Sequence, residues 1–115
     1  NVSAVSLSAM MVKRAAYDSA KGFDERFQVS NCDVDFCLKV AKEGYLIAYN
    51  GGVEAYRKGS DSGGRSALTE KQQLRAEREK AFLHYRWPHL FVDGDPYMSS
   101  CLDPRAPYFL LGPVQ

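Results

Sequence analysis

Long apolar runs are missing from this chain. Stretches such as Ala9–Val12 and Phe109–Leu111 fall far short of the roughly 20 residues that cross a bilayer. No charged leader with an apolar stretch behind it marks a signal peptide. An excess of charge of one sign is missing too: the formal net charge is +1, with acids and bases interleaved. That balance gives no case for nucleic acid or an anionic membrane as partner. Cysteine is scarce, with Cys32, Cys37 and Cys101 making an odd set without metal-ligand spacing. Cys32 and Cys37 sit five apart across a helix start and do not share a face, so the thiols read as free groups in a reducing cytoplasm. His84 and His89 have no partner at ligand spacing and read as surface or packing residues. No Ser–His–Asp order is present, and no Gly-rich stretch has P-loop spacing.

What remains is enough for one folded domain. The 115 residues are 45% hydrophobic and 25% charged, which supports a core and argues against disorder throughout. Val5, Leu7, Ala9 and Met11 alternate with Ser6, Ser8 and Met10, a period of two that predicts a half-buried strand. Residues 15–21 predict a short helix closed at Gly22. The next helix is marked by Ser30 and Asn31 as caps, by Asp33 and Asp35 in the first turn, and by Val34, Cys37, Leu38 and Ala41 at helical spacing. Lys39 and Lys42 complement its C-terminal end, and Gly44 closes it. Tyr45–Tyr49 predicts a second strand, and residues 58–66 a Gly- and Ser-rich loop. A polar helix is expected from Thr69 to about Arg86, with Leu74, Ala81, Phe82 and Tyr85 as its apolar stripe. The proline-rich stretch from Pro88 on is expected to wrap over a larger surface. The chain has no initiator Met and opens at Asn1 within the expected first strand, so a piece of a longer protein is expected.

The acidic turn Asn31–Asp35 is the first place for chemistry. A helix N-terminus keeps a carboxylate ionised and able to accept a proton or a hydroxyl hydrogen bond. Capping alone is the plainer account of the spacing, and Asp-x-Asp can also hold a divalent cation through oxygen. The second place is the loop from Lys58 to Arg65, whose glycines and basic ends could fold over a phosphate, although a solvated loop is the blander account.

The segments taken in order resemble the second half of family two inverting glycosyltransferases, in particular the rhamnosyltransferase-like branch. The resemblance covers residues 1 to about 111 and rests on Val2–Ser6 leading to Met10–Arg14, on Gly22–Phe27, on Asp33–Lys39, on Glu43–Tyr45, on Arg86–Trp87 and on Asp95–Tyr97. It implies an α/β fold, the C-terminal portion of a glycosyltransferase-A (Rossmann-like) fold with a helical extension. Residues 1–66 would be the acceptor-side half of the catalytic domain, and residues 67–115 a C-terminal helix and wrapping tail of the same domain.

The resemblance places the catalytic base at Asp33. It implies Asp24 and Glu25 as ligands of acceptor hydroxyls, and Ser8 and Ala9 close to the donor sugar. Asp35 would either bind acceptor or hold the turn. Relatives often carry a His after the second strand; here the position is Arg57, which cannot ligate a cation but can pair with diphosphate oxygens. The implied partners are a nucleotide-sugar donor and a glycan or lipid-linked acceptor, in the cytoplasm or at the inner face of the membrane. Any divalent cation, Mg or Mn, would be held by residues of the parent outside this chain. The alternative function is a non-catalytic glycan- or protein-binding module derived from such a transferase. With the donor half missing, the isolated chain is expected to be inactive and prone to self-association. Calorimetry should find no micromolar binding of uridine, thymidine or guanosine diphosphate sugars to these residues alone.

Overall fold

The computed structural model describes residues 1–56, 58, 68–99 and 102. Among these residues there are four α-helices and one short 3-10 turn: the turn Leu7–Ala9, then α1 (Arg14–Ser19), α2 (Cys32–Lys42), α3 (Glu70–Arg86) and α4 (Pro88–Val92). Most of the loop expected over 58–66, with Arg57, Cys101 and the tail from residue 103, lies outside the described residues.

Both α1 and α2 end as the sequence suggests, through backbone devices at glycine. In α2, Gly44 adopts φ +86; its N–H donates to Ala41 O and that of Tyr45 to Val40 O. This pair of bonds satisfies carbonyls that the helix leaves open. The same pattern closes α1, where Lys21 and Gly22 donate to Asp18 O and Tyr17 O. Lys21, rather than a glycine, takes the first left-handed position at φ +58, and Gly22 follows at φ +65. A Cβ on Gly22 would lie 2.8 Å from the Tyr17 hydroxyl oxygen, so both the backbone angle and the tyrosine ring require glycine there. At the start of α3, the Thr69 hydroxyl accepts from Gln72 N while the Gln72 side chain accepts from Thr69 N, a reciprocal cap.

The core consists of two small clusters on either side of α2. Ala16 and Ala20 of α1 meet Phe36 and Val40, with Met10, Tyr17, Phe23 and Tyr45 packed around them. On the other side Phe27 and Leu38 meet Leu83 and Trp87, bordered by Cys32, Val34, Phe82 and Leu90. Helix α2 thus carries apolar residues toward both α1 and α3, which explains its run of four buried residues from Asp35 to Leu38.

Besides α4, which forms in the stretch from Pro88 expected only to wrap over a surface, three expectations differ from the structure. No strand is present among the described residues. Within 5–11, the Ser6 hydroxyl accepts from Ser8 N and starts the 3-10 turn, and Met11 is 99% exposed. An alternating pattern is buried only when a neighbouring strand or layer covers one face. One backbone bond, Val2 N to Ile47 O at 3.0 Å, brings the two segments expected as strands together. Second, of the expected α3 stripe only Phe82 packs on the core: Leu74 and Tyr85 are 53% and 83% exposed and Ala81 is exposed, whereas Glu79 and Leu83 are buried. The buried face is partly ionic, so a search for apolar spacing misplaces it. Third, the Asn31 side chain does not cap α2. Asn31 is left-handed at φ 62, and its amide donates to the Ser30 hydroxyl.

Phe36 sits at the centre of the first cluster, with its ring centre 4.4 Å from that of Phe23 and 5.7 Å from that of Tyr17. Phe36→Ala is expected to cost about 3–5 kcal/mol, read by chemical denaturation. A loss below about 1 kcal/mol would mean that this cluster does not hold α1 on α2.

Candidate functional site

The site is built on the turn from Gly22 to Asn31 and the first turn of α2. Its acidic residues fall into distinct environments. Asp35 has no exposed surface. One carboxylate oxygen accepts from Trp87 Nε1 at 2.9 Å, and Arg86 Nη1 lies 3.3 Å from the same oxygen. Asp24 is held by two arginines. Arg26 engages it in bidentate fashion at 3.0 and 2.7 Å, and Arg86 Nη1 donates to it at 2.7 Å. Arg86 therefore bridges Asp24 and Asp35, while Arg26 lies over the Phe82 ring with Cζ 4.7 Å from its centre.

The side-chain bond from Arg26 holds the Asp24 carboxyl well below the usual carboxylate range, against the opposing effect of burial and with help from Arg86. Burial pushes the Cys32 and Cys37 thiols up, so neither is poised as a thiolate nucleophile.

Asp33 differs from both other aspartates. Residues two apart on a helix project about 200° from each other, so Asp33 faces away from Asp35. Its side chain accepts from Leu7 N at 3.1 Å through one oxygen and from Val34 N at 2.9 Å through the other, and the residue is half-exposed. No arginine or lysine pairs with it among the described residues. The bond to Leu7 places the 3-10 turn carrying Ser8 and Ala9 beside the Asp33 carboxylate. Glu25 is exposed on the neighbouring turn. The structure thus brings Ser8 to Asp33, ties Asp24 and Asp35 into one ion-pair network, and leaves Glu25 exposed without a bonded partner among the described residues; Arg57 is outside the described residues.

Sequence reasoning missed Glu79. It lies in the middle of α3, is 5% exposed, and accepts from three successive backbone N–H groups, those of Gln28, Val29 and Ser30, at 2.8, 3.1 and 2.8 Å. Arg75, one turn earlier, closes the pair at 3.1 Å. Burial alone would raise the Glu79 carboxyl, but the three amides and Arg75 hold it below its ordinary value. The Arg75/Glu79 spacing of four is the one sequence signal, and it suits an exposed pair equally well.

No protein-family model matches the chain, and no solved structure matches it. It is 35% identical over 95 residues to the uncharacterised protein y4gI of Sinorhizobium fredii, covering 81% of this chain and 10% of that protein. It is 30% identical over 98 residues to the O-antigen biosynthesis protein RfbC of Myxococcus xanthus, covering 85% of this chain and 7% of that protein. The chain therefore spans a tenth or less of the length of these relatives. Among the described residues no helix is long and apolar enough to cross a membrane.

The depressed carboxyls set the response to acid. Asp24 titrates below its ordinary 3.8 and Glu79 below its ordinary 4.5 when folded. Each contributes stability that is complete above those ordinary values and fades as pH falls through them toward the folded ones. Stability is thus expected to be nearly flat with respect to these two groups down to about pH 5 and to decline below it. Asp24→Asn should remove its share of that decline. Melting temperatures that rise between about pH 5 and pH 3 would contradict the assignment.

Proposed function

We propose that this chain forms the acceptor-side part of an inverting glycosyltransferase that acts on a surface polysaccharide or a related glycan. The relationship to an O-antigen biosynthesis protein over 85% of the chain supports the class. The observation that carries the mechanism is the contrast among the aspartates: Asp24 and Asp35 are neutralised by arginine, while half-exposed Asp33 is bound, among the described residues, only by amides. The fold class that fits this reading is α/β, with the segments around Val2 and Ile47 contributing to a sheet completed elsewhere in the protein.

In the proposed reaction an acceptor hydroxyl attacks the anomeric carbon of a nucleoside diphosphate sugar. The new glycosidic C–O bond forms as the bond to the diphosphate breaks on the opposite face. Asp33 takes the hydroxyl proton, and the diphosphate leaves with the electron pair. One carboxylate suffices because no covalent intermediate forms. Glu25 is the acid free to meet another acceptor hydroxyl. Of the two roles open to Asp35, holding the turn suits its burial against Arg86 and Trp87 better than binding acceptor. A divalent cation finds no chelate in this pair, since Asp33 and Asp35 face apart and Asp35 is already engaged; no step is routed through one.

In the full-length protein, Asp33→Asn should cost about 1 kcal/mol or less in stability, since the amide oxygen still accepts one of the two N–H bonds. Turnover, followed by nucleoside diphosphate release with acceptor present, should fall by roughly 10²–10⁴-fold. Retention of more than about a tenth of wild-type turnover would sink the general-base role. A non-catalytic binding module would then be the better account.

A further inference from the structure

Asp33 follows closely on the stretch from Gln28 to Asn31, which leads into α2. Asn31, which opens α2, is left-handed at φ 62 and offers no side-chain cap, a conformation that asparagine takes more readily than most residues. The residues just before it are held from another helix. The Glu79 carboxylate occupies the concavity formed by the N–H groups of residues 28–30, with the Ser30 hydroxyl at 3.4 Å as a further donor. Successive amides turned inward in this way make an anion site, and here the chain fills it with its own buried charge. Two residues separate the last of these amides from Asp33.

We propose that Glu79 is a positioning residue for the transfer reaction: by fixing the backbone of 28–30 it sets the first turn of α2, and so the direction in which Asp33 meets the acceptor hydroxyl. The inference rests on the general-base reading of Asp33. Gln at position 79 keeps the length of the arm but has one acceptor oxygen in place of two. Gln28 and Ser30 bond to different oxygens, so one of these amides would face the NH2 group and the loop would shift. A displacement of about 1 Å at a reacting group can cost on the order of 10²-fold in rate.

The test is a double-mutant cycle in the full-length protein with Glu79→Gln, Asp33→Asn and the pair. Turnover per folded molecule and the KM values for donor and acceptor are measured for each. Glu79→Gln is expected to lower kcat by about 10–100-fold while the donor KM stays within about threefold. In the Asp33→Asn background the same change should cost less than about threefold, because the group it positions is gone. A purely structural role would reduce the folded fraction and leave kcat per folded molecule unchanged. Equal losses with and without Asp33, or a Glu79→Gln kcat near wild type, would overturn the proposal. Should the glutamine variant fail to fold, Glu79→Asp keeps the charge on a shorter arm and enters the same cycle with the same expected non-additivity. Failure of the underlying reading is seen separately, as high turnover in Asp33→Asn alone.

Discussion

A carboxylate with no exposure to water must be paired, and Asp35 shapes the arrangement around it for that reason. Removing an ion from water costs several kcal/mol, which is offset only by close partners in good geometry. Trp87 and Arg86 are those partners, and both sit at the end of α3. Their bonds pin that end against the first turn of α2, in one register. Arg86 then reaches Asp24, Arg26 closes on Asp24 from the other side, and Phe82 lies beneath both guanidinium groups. Such a buried pair adds little net stability, but it penalises every arrangement of α3 that leaves Asp35 alone.

Helices α1, α2 and α3, the glycine endings of α1 and α2, and the acidic start of α2 were legible in the sequence, because they depend on residues within one turn of each other, where local chemistry decides. What was not legible depends on residues far apart. The stripe on α3 was misplaced because Glu79 and Arg86, seven apart on one face, look like solvent-facing charges until the groups they bury against are known. Burial of Asp35 could not be read either, since its partners lie 51 and 52 positions away. The alternating segment 5–11 carries a strand pattern, yet a pattern becomes a strand only beside another, and the bond to Ile47 comes from Val2, ahead of that segment.

The three aspartates illustrate how one residue type is sorted into separate tasks. Asp24 and Asp35 both meet the Arg86 guanidinium. Asp33 meets, among the described residues, only backbone amides, which orient a carboxylate without pairing it to a cation. This division could not be drawn from the motif Asp-Val-Asp, in which the two acids look equivalent. It follows from the 200° turn between them and from which side of α2 faces α3.

The distance along the chain between the acidic turn and its supports also dictates an order of assembly. Helices α1 and α2 are close in sequence, so their shared cluster can form while little of the chain has been organised. Glu79, Arg86 and Trp87 must return across a span of about 50 residues, and closing a loop of that length carries an entropic cost before any contact rewards it. During synthesis, the acidic turn reaches its final shape only once residue 87 is free to fold back. A ribosome-bound chain that stops short of Trp87 would present α2 with Asp35 still in water.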